Sequence, residues 1–320
     1  MILVTGATGF VGSHLCALLE SSGRPYRALI RSRTKAAERG LPEERCFVGD
    51  LAGDLAGAVE GVDAVVHLAG LVRAVGSGPL FRTNGEATER LVATLARHAP
   101  QARLVHISSI AATAPSEDGA LTLAPPSATS PVSDYGRSKK AAELAVTVGT
   151  SPWLVLRPAI VYGPWDTDVL VMFRMLAKGR LPIIGDARYS LVHVGDLSRA
   201  ILAALDSHVV GRFIPIARKG PVTQRAWAAA IATALGKAKA STIGLPQIFG
   251  ATGALFSEVW SRVSRRPAFL GWDKWREARA GSWVADTELA RELLGFEAQT
   301  DHSTGFAETA AWYREHGWLD

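Results

Sequence analysis

Three residue types stand in a pattern that can pass a proton to or from an oxygen atom. Tyr135 and Lys139 lie four residues apart in Asp134-Tyr135-Gly136-Arg137-Ser138-Lys139, which opens a helix running on through Ala142, Leu144, Ala145 and Val148. Both side chains therefore project from one face, a turn apart. A tyrosine hydroxyl ionises near pH ~10, and bringing it to neutrality takes roughly 4 kcal/mol of preferential stabilisation of the phenolate, much of which a nearby ammonium can supply. Ser108 and Ser109 close the apolar run Arg103-Leu104-Val105-His106-Ile107. A hydroxyl at such a strand end can hydrogen-bond the carbonyl or alcohol oxygen that the tyrosine protonates or deprotonates.

The elements that must position this chemistry start at the first residues. Ile2-Leu3-Val4-Thr5-Gly6-Ala7-Thr8-Gly9-Phe10-Val11-Gly12 passes from an apolar strand through three regularly spaced glycines into a helix with Val11, Leu15, Leu18 and Leu19 on one face. Glycine at such a turn adopts backbone angles closed to other residues and lets a diphosphate approach the main chain, while the positive end of the helix receives its charge. The loop suits a dinucleotide, and read alone it is also an ordinary strand-to-helix turn.

Strands and helices then alternate. Tyr26-Arg27-Ala28-Leu29-Ile30 is a second strand ending in Arg31-Ser32-Arg33, with Lys35 just beyond. Arginine at this end accommodates a 2′-phosphate, where a carboxylate would accept ribose hydroxyls; the alternative is a solvated loop. Arg45-Cys46-Phe47-Val48 is a third strand, closed by Gly49-Asp50-Leu51, and Asp63 to Gly70 a fourth, apolar enough to be buried on both faces. His67 within it reads as a satisfied core histidine rather than a catalyst. Phe81 to His98 reads as a long helix, and Trp153-Leu154-Val155-Leu156-Arg157-Pro158 as a sixth strand running into Tyr162-Gly163-Pro164. This rhythm predicts an α/β fold with a doubly wound parallel sheet, right-handed crossovers and ligands at the carboxyl ends of the strands. Ala114 to Pro131 is either a flap over the site or a plain connection. From Val222 onward the chain reads as helical and rich in tryptophan (Trp227, Trp260, Trp272, Trp275, Trp283, Trp312), which serves either lobe packing or an aromatic pocket for a flat or lipophilic substrate.

Composition narrows the function classes. A chain of 320 residues, 48% hydrophobic and 20% charged, is that of a soluble globular enzyme. The chain enters a strand at once, without the pattern of a signal peptide, and has no apolar run of about 18 residues, so a cytoplasmic protein with no membrane span is expected. Cys16 and Cys46 read as small core residues rather than metal ligands or a disulfide. The net charge of +5 is scattered and argues for no nucleic-acid partner.

Thr5 to Gly12 resembles the TGxxGxxG cofactor loop of the extended short-chain dehydrogenase/reductase family (the NAD-dependent epimerase/dehydratase family). The order of glycine loop, strand-end serine and helical Tyr-Lys pair resembles that family's signature. The resemblance implies a Rossmann-type dinucleotide-binding domain over residues 1–164, completed by about 188–217 with Arg212 to Ile216 as the last strand. A smaller, mainly helical substrate lobe would then come from 165–187 and 218–320. It implies Ser109 rather than Ser108, Tyr135 and Lys139 as catalytic residues, with Asn84 as a structural or relay residue beside them. The implied cofactor site consists of Gly6, Thr8, Gly9, Phe10, Val11, Gly12, Arg31, Arg33, Asp50, Leu51, Leu68, Ala69, Gly70, Tyr135, Lys139 and Pro158, with NADP rather than NAD as the occupant.

Two family functions fit, together with one non-catalytic class. The first is an NADP-dependent oxidoreductase interconverting a carbonyl and an alcohol on a small apolar molecule, similar to the dihydroflavonol-reductase and 3β-hydroxysteroid-dehydrogenase branches. The second is a nucleotide-sugar epimerase or dehydratase. Against it stand Ile110-Ala111 where dehydratases carry an acidic pair, Ala159-Ile160 where an asparagine is common, and Tyr189 where a phosphate-binding arginine is found, with Arg188 adjacent. Thr113 falls where the family often has tyrosine. The third is a dinucleotide-binding regulator. A homodimer would form through the Arg82–His98 and Tyr135–Val148 helices.

Overall fold

Short apolar runs separated by helices can bury both faces only by lining up in parallel, and they do so here. The computed structural model describes residues 1–115, 126–183, 185–244 and 271–319, with single positions 250, 257, 261, 263 and 264. Strands β1 (Ile2–Thr5), β2 (Tyr26–Ile30), β3 (Cys46–Val48), β4 (Ala64–His67), β5 (Arg103–Ile107) and β6 (Trp153–Pro158) join the Arg212–Ile216 strand in one parallel sheet. Its seven strands lie in the order Arg212–Ile216, β6, β5, β4, β1, β2, β3. Strand order reverses beside β1, which brings the glycine turn after β1 and the loop after β4 together at the switch point.

Side chains alternate across the sheet, so each strand feeds two layers. Val4, Val66, Val105, Leu154 and Ile214 pack under the Phe10–Ser21 and Val194–Asp206 helices. Leu3, Val65, Leu104 and Val155 pack with Leu91, Leu95 and Val146 of the Ala87–His98 and Asp134–Thr147 helices. A third core holds Tyr162, Phe173, Trp227, Trp283, Phe306 and Tyr313 beneath elements from the later part of the chain.

Several expectations are refined. The Phe81 to His98 helix is not uniform: a π-helical segment, Phe81–Glu86, precedes the α-helix Ala87–His98 and contains Asn84. The region after Val222 is not wholly helical, because Val222–Thr223 pairs with Arg188–Tyr189 and Thr242–Gly244 with Leu181–Ile183. Cys16 is buried in the first core and Cys46 is half-buried, both as free thiols. Trp227, Trp275 and Trp283 are buried, Trp272 is partly exposed, and Trp260 lies outside the described residues, as does 116–125 of the Ala114 to Pro131 loop. Among the described residues no helix is long and apolar enough to cross a membrane, and no group of three or more His, Cys, Asp or Glu side chains could hold a metal ion.

Candidate active site

The glycine turn is shaped by contact as much as by torsion. Gly6 has φ +72°, and a Cβ there would sit 2.6 Å from the Ala69 nitrogen, so the turn is pressed onto the Leu68-Ala69-Gly70 ledge after β4. The Phe10–Ser21 helix begins at Gly9 with no side chain capping it, which leaves its first turn of N–H groups available to an anion. Gly6, Thr8, Gly9, Phe10, Val11 and Gly12 thus form one edge of a cradle and Leu68, Ala69 and Gly70 another. A dinucleotide fits this donor set: a close-packed main chain, an uncapped helix start and no competing carboxylate in the turn.

Arg31 and Asp50 meet at the ends of β2 and β3, with 3.9 Å between guanidinium and carboxylate, and the Arg31 side chain is 79% exposed. Asp50 also accepts the Ala52 N–H, which holds the turn through Leu51. Arg33 is turned away from the strand end and paired to Glu43 at 2.8 Å. Ser32 caps the Arg33–Glu38 helix by accepting the Lys35 N–H. Arg31 thus stands at the strand end and Arg33 is engaged by Glu43 on the surface.

Tyr135 is set by its helix start. Ser133 caps the Asp134–Thr147 helix by accepting the Gly136 N–H, and Gly136 lets the helix close onto the turn after β5, where a Cβ would fall 2.2 Å from the Ala111 carbonyl. That approach sets the Tyr135 hydroxyl beside Ser109, whose own oxygen accepts the Ala111 N–H at 3.1 Å. Ser108, one residue earlier on the other side of the chain, is buried with its hydroxyl unpaired. The structure therefore brings Ser109 to the tyrosine and not Ser108. Thr113 is turned inward onto the Ile110 carbonyl.

Lys139 is buried and donates to the Ile107 carbonyl at 2.7 Å, beside Gly70, where a Cβ would lie 3.9 Å from Nζ. Burial lowers its ammonium to about 8, against the support of Glu143. Asn84 braces the same corner, accepting the Leu71 N–H and donating to the Leu71 carbonyl and to Ser138. Pro158 closes β6 close by and is buried. Lys139, expected to tune Tyr135, has its ammonium on the Ile107 carbonyl. Desolvation holds the half-buried phenol above its ordinary range, and the ammonium that most opposes this is Lys274, with Ser109 next. Lys274 sits 5.5 Å from the centre of the Tyr135 ring.

His67 is a core residue: Nδ1 meets the Thr5 hydroxyl at 2.7 Å and Nε2 the Thr88 hydroxyl at 2.9 Å, and burial lowers it to about 3. Tyr189 is buried in the third core and lies 3.5 Å from Gln224, while Arg188 is exposed. Sequence reasoning missed Lys274, its partner Glu277, and the buried Arg157–Glu143 pair (2.9 and 2.7 Å) behind Lys139. The spacing of Asp273, Lys274 and Glu277 marks a charged helix turn, but nothing local to it indicates Tyr135.

Comparison with known proteins agrees with this geometry. The chain is 30% identical over 324 residues to a ceramide reductase of Caulobacter vibrioides, covering 100% of this chain and 96% of the relative. It is 29% identical over 335 residues to sterol demethylase protein B of Methylococcus capsulatus, covering 99% of both. The solved structure of MoeE5 in complex with UDP-glucose and NAD superposes with a TM-score of 0.75 at 25% identity, covering 98% of this chain and 99% of the other. The model of the NAD dependent epimerase/dehydratase family matches residues 2–217, from the first strand of the sheet to the last. The chain belongs to that family, the extended short-chain dehydrogenases/reductases, and is an enzyme of the nicotinamide-dinucleotide type.

Proposed function

We propose that the protein is an NADP-dependent oxidoreductase that interconverts a carbonyl and an alcohol on a small apolar substrate. The observation that carries this is the close docking of the tyrosine's helix at Gly136 onto the Ala111 carbonyl, which sets Tyr135 beside Ser109 at the carboxyl end of β5. Ser109 would hold the substrate oxygen and Tyr135 would pass it the proton, or take it back in the reverse direction. Burial keeps the phenol protonated at neutral pH, and that is the form a carbonyl reduction consumes. Lys139, beside Gly70, would face the cofactor's nicotinamide ribose, and Asn84 would hold the ledge in place through Leu71. A bound nicotinamide dinucleotide supplies the hydride chemistry.

We assign the dinucleotide domain to 1–164 with about 188–217 and the substrate lobe to 165–187 and 218–320. The apolar substrate is supported by the lipid named for each of the two relatives and by the buried Tyr189, which offers no cation to a diphosphate. The likeness to MoeE5 keeps a nucleotide-sugar reading in view. Reduced-nicotinamide absorbance with long-chain and polycyclic ketones tests the first reading and is expected to fall with time. Thermal protection by UDP or dTDP, added when NADP is already saturating, would replace it with the second. A homodimer through the Ala87–His98 and Asp134–Thr147 helices would cover Leu144 and Val148, which are 42% and 81% exposed, and light scattering at twice the chain mass is its check.

A further inference from the structure

The Trp272–Arg279 helix docks on the start of the tyrosine's helix and does more there than pack. Asp273 accepts the backbone N–H groups of Asp134 at 2.5 Å and Tyr135 at 3.0 Å, so a carboxylate from far along the chain caps the Asp134–Thr147 helix. Glu277 accepts the Ser133 hydroxyl at 2.6 Å through one oxygen and the Lys274 ammonium at 2.7 Å through the other. Two anchors thus fix the Trp272–Arg279 helix, and the ammonium they leave in place stands over the Tyr135 ring at 5.5 Å.

We propose that Lys274 is a positioning residue for the reaction, its ammonium held by Glu277 above Tyr135 so that the phenolate is favoured when the substrate lobe is seated on the tyrosine's helix. The inference rests on the role given to Tyr135 above. A cation over an aromatic face is attracted by the ring, and more strongly once the ring carries the phenolate charge. The other groups facing Tyr135 divide in sign. Ser109 at the end of β5 is a neutral hydroxyl that favours ionisation, while Glu277 and Asp168 are anions that oppose it. Asp168 is itself paired with Arg73. On the tyrosine's own helix, Asp134 is paired with Arg137 at 2.5 Å, and Lys139 is turned to the Ile107 carbonyl. Lys274 is thus the cation with no bonded demand on it other than Glu277 that faces the ring among the described residues.

Ultraviolet titration of the full chain at the phenolate band, taken as wild type minus Tyr135→Phe, isolates this one hydroxyl. Burial raises Tyr26, Tyr162, Tyr189 and Tyr313 as well, and the subtraction removes their common contribution. Each Lys274 variant is compared with its own Tyr135→Phe double variant. Lys274→Met is expected to move the Tyr135 titration up by about 0.5–1 pH unit, and Lys274→Arg to keep it near the wild-type position. Lys274→Gln repeats the test should the methionine variant lose its near-ultraviolet dichroism. Superimposable titrations for wild type and the neutral variants would overturn the proposal, as would a shift in Lys274→Arg as large as in Lys274→Met, which would mean packing rather than charge. No turnover is needed, so this failure is separate from a failure of the oxidoreductase reading.

Discussion

The two faces of the central sheet are made by the same strands and differ in chemistry. Beneath the Phe10–Ser21 helix the strands present Val4, Val66, Val105, Leu154 and Ile214, a buried and purely apolar layer. Beneath the Asp134–Thr147 helix the same strands begin apolar, with Leu3, Val65, Leu104 and Val155, and turn polar one step further along, with Thr5, His67, His106 and Arg157, all buried. The polar steps fall at the carboxyl ends, where Lys139, Asn84 and Glu143 also point. One face is built for burial alone. The other gives up some of that to anchor a buried ammonium and the helix that carries the tyrosine.

The largest expected effect separates chemistry from stability on the polar side. Tyr135→Phe should lower turnover by ~100- to 10,000-fold, the usual scale for a lost general acid or base, while leaving the melting temperature and cofactor affinity close to wild type. Near wild-type turnover on a saturating substrate would remove Tyr135 from the mechanism.

Stability comes next. Glu143→Gln leaves the Arg157 guanidinium without its carboxylate at a site where the two side chains are 0% and 1% exposed, and should cost about 3–5 kcal/mol in denaturant unfolding. Leu154→Ala on the apolar face should cost about 2–5 kcal/mol by cavity formation. The faces part on the second substitution: changing Glu143 and Arg157 together to leucine should restore much of the loss, whereas no partner change rescues Leu154→Ala. Equal damage from the double and single variants would mean that the polar layer is as irreplaceable as the apolar one.

At the rim shared by both faces, Arg31→Ala tests the cofactor. One charge-assisted contact is worth about 1.5–3 kcal/mol, so NADP should be preferred over NAD by roughly 10- to 100-fold and the substitution should erase most of this. Titrating both dinucleotides against both proteins decides it, and a preference unmoved by the change would assign the 2′-phosphate elsewhere.

The smallest effect is the cost of Lys139 itself. Its folded value of about 8 lies below the unfolded 10.5, so across that window the unfolded chain holds a proton the folded chain has lost, and stability rises with pH. Below the window the folded state carries the full penalty of the buried charge. Lys139→Met should therefore raise the melting temperature at neutral pH, by about 2–4 °C for each kcal/mol released, with the gain fading as the pH approaches the unfolded value. A lower melting temperature would show that the bond to the Ile107 carbonyl outweighs the desolvation.

Much of this was legible in the sequence where the determinant is local. The glycine turn, the apolar strands and the Tyr135–Lys139 spacing are set by torsion and periodicity within a few residues. The choice of Ser109 over Ser108 rests on the family resemblance alone; in the structure Ser108 shares the inward face of His106 and is buried, while Ser109 is not. The π-helical turn at Asn84 was not legible, because it answers to the Leu71 ledge and Ser138 rather than to its own neighbours. Lys274 and the Arg157–Glu143 pair were hidden for the same reason: a charged residue in sequence carries no mark of the buried partner that tertiary packing will give it. His106 is buried with neither ring nitrogen hydrogen-bonded, its ring 5.2 Å from that of His67.

The last strand of the sheet sets an order of events during synthesis. β6 finds its outer neighbour only in Arg212–Ile216, after the whole excursion from Ala159 to Gly211 has been made. Until then Leu154, Val155 and Leu156, fully shielded in the finished enzyme, line the rim of an incomplete sheet whose backbone donors and acceptors are unpaired. Such long-range parallel closure is slow, and an open apolar rim is the surface by which two unfinished chains can pair with each other. The length of that excursion is therefore a kinetic liability during translation, and a fragment ending near Pro164 should be recovered as aggregate rather than as a free domain.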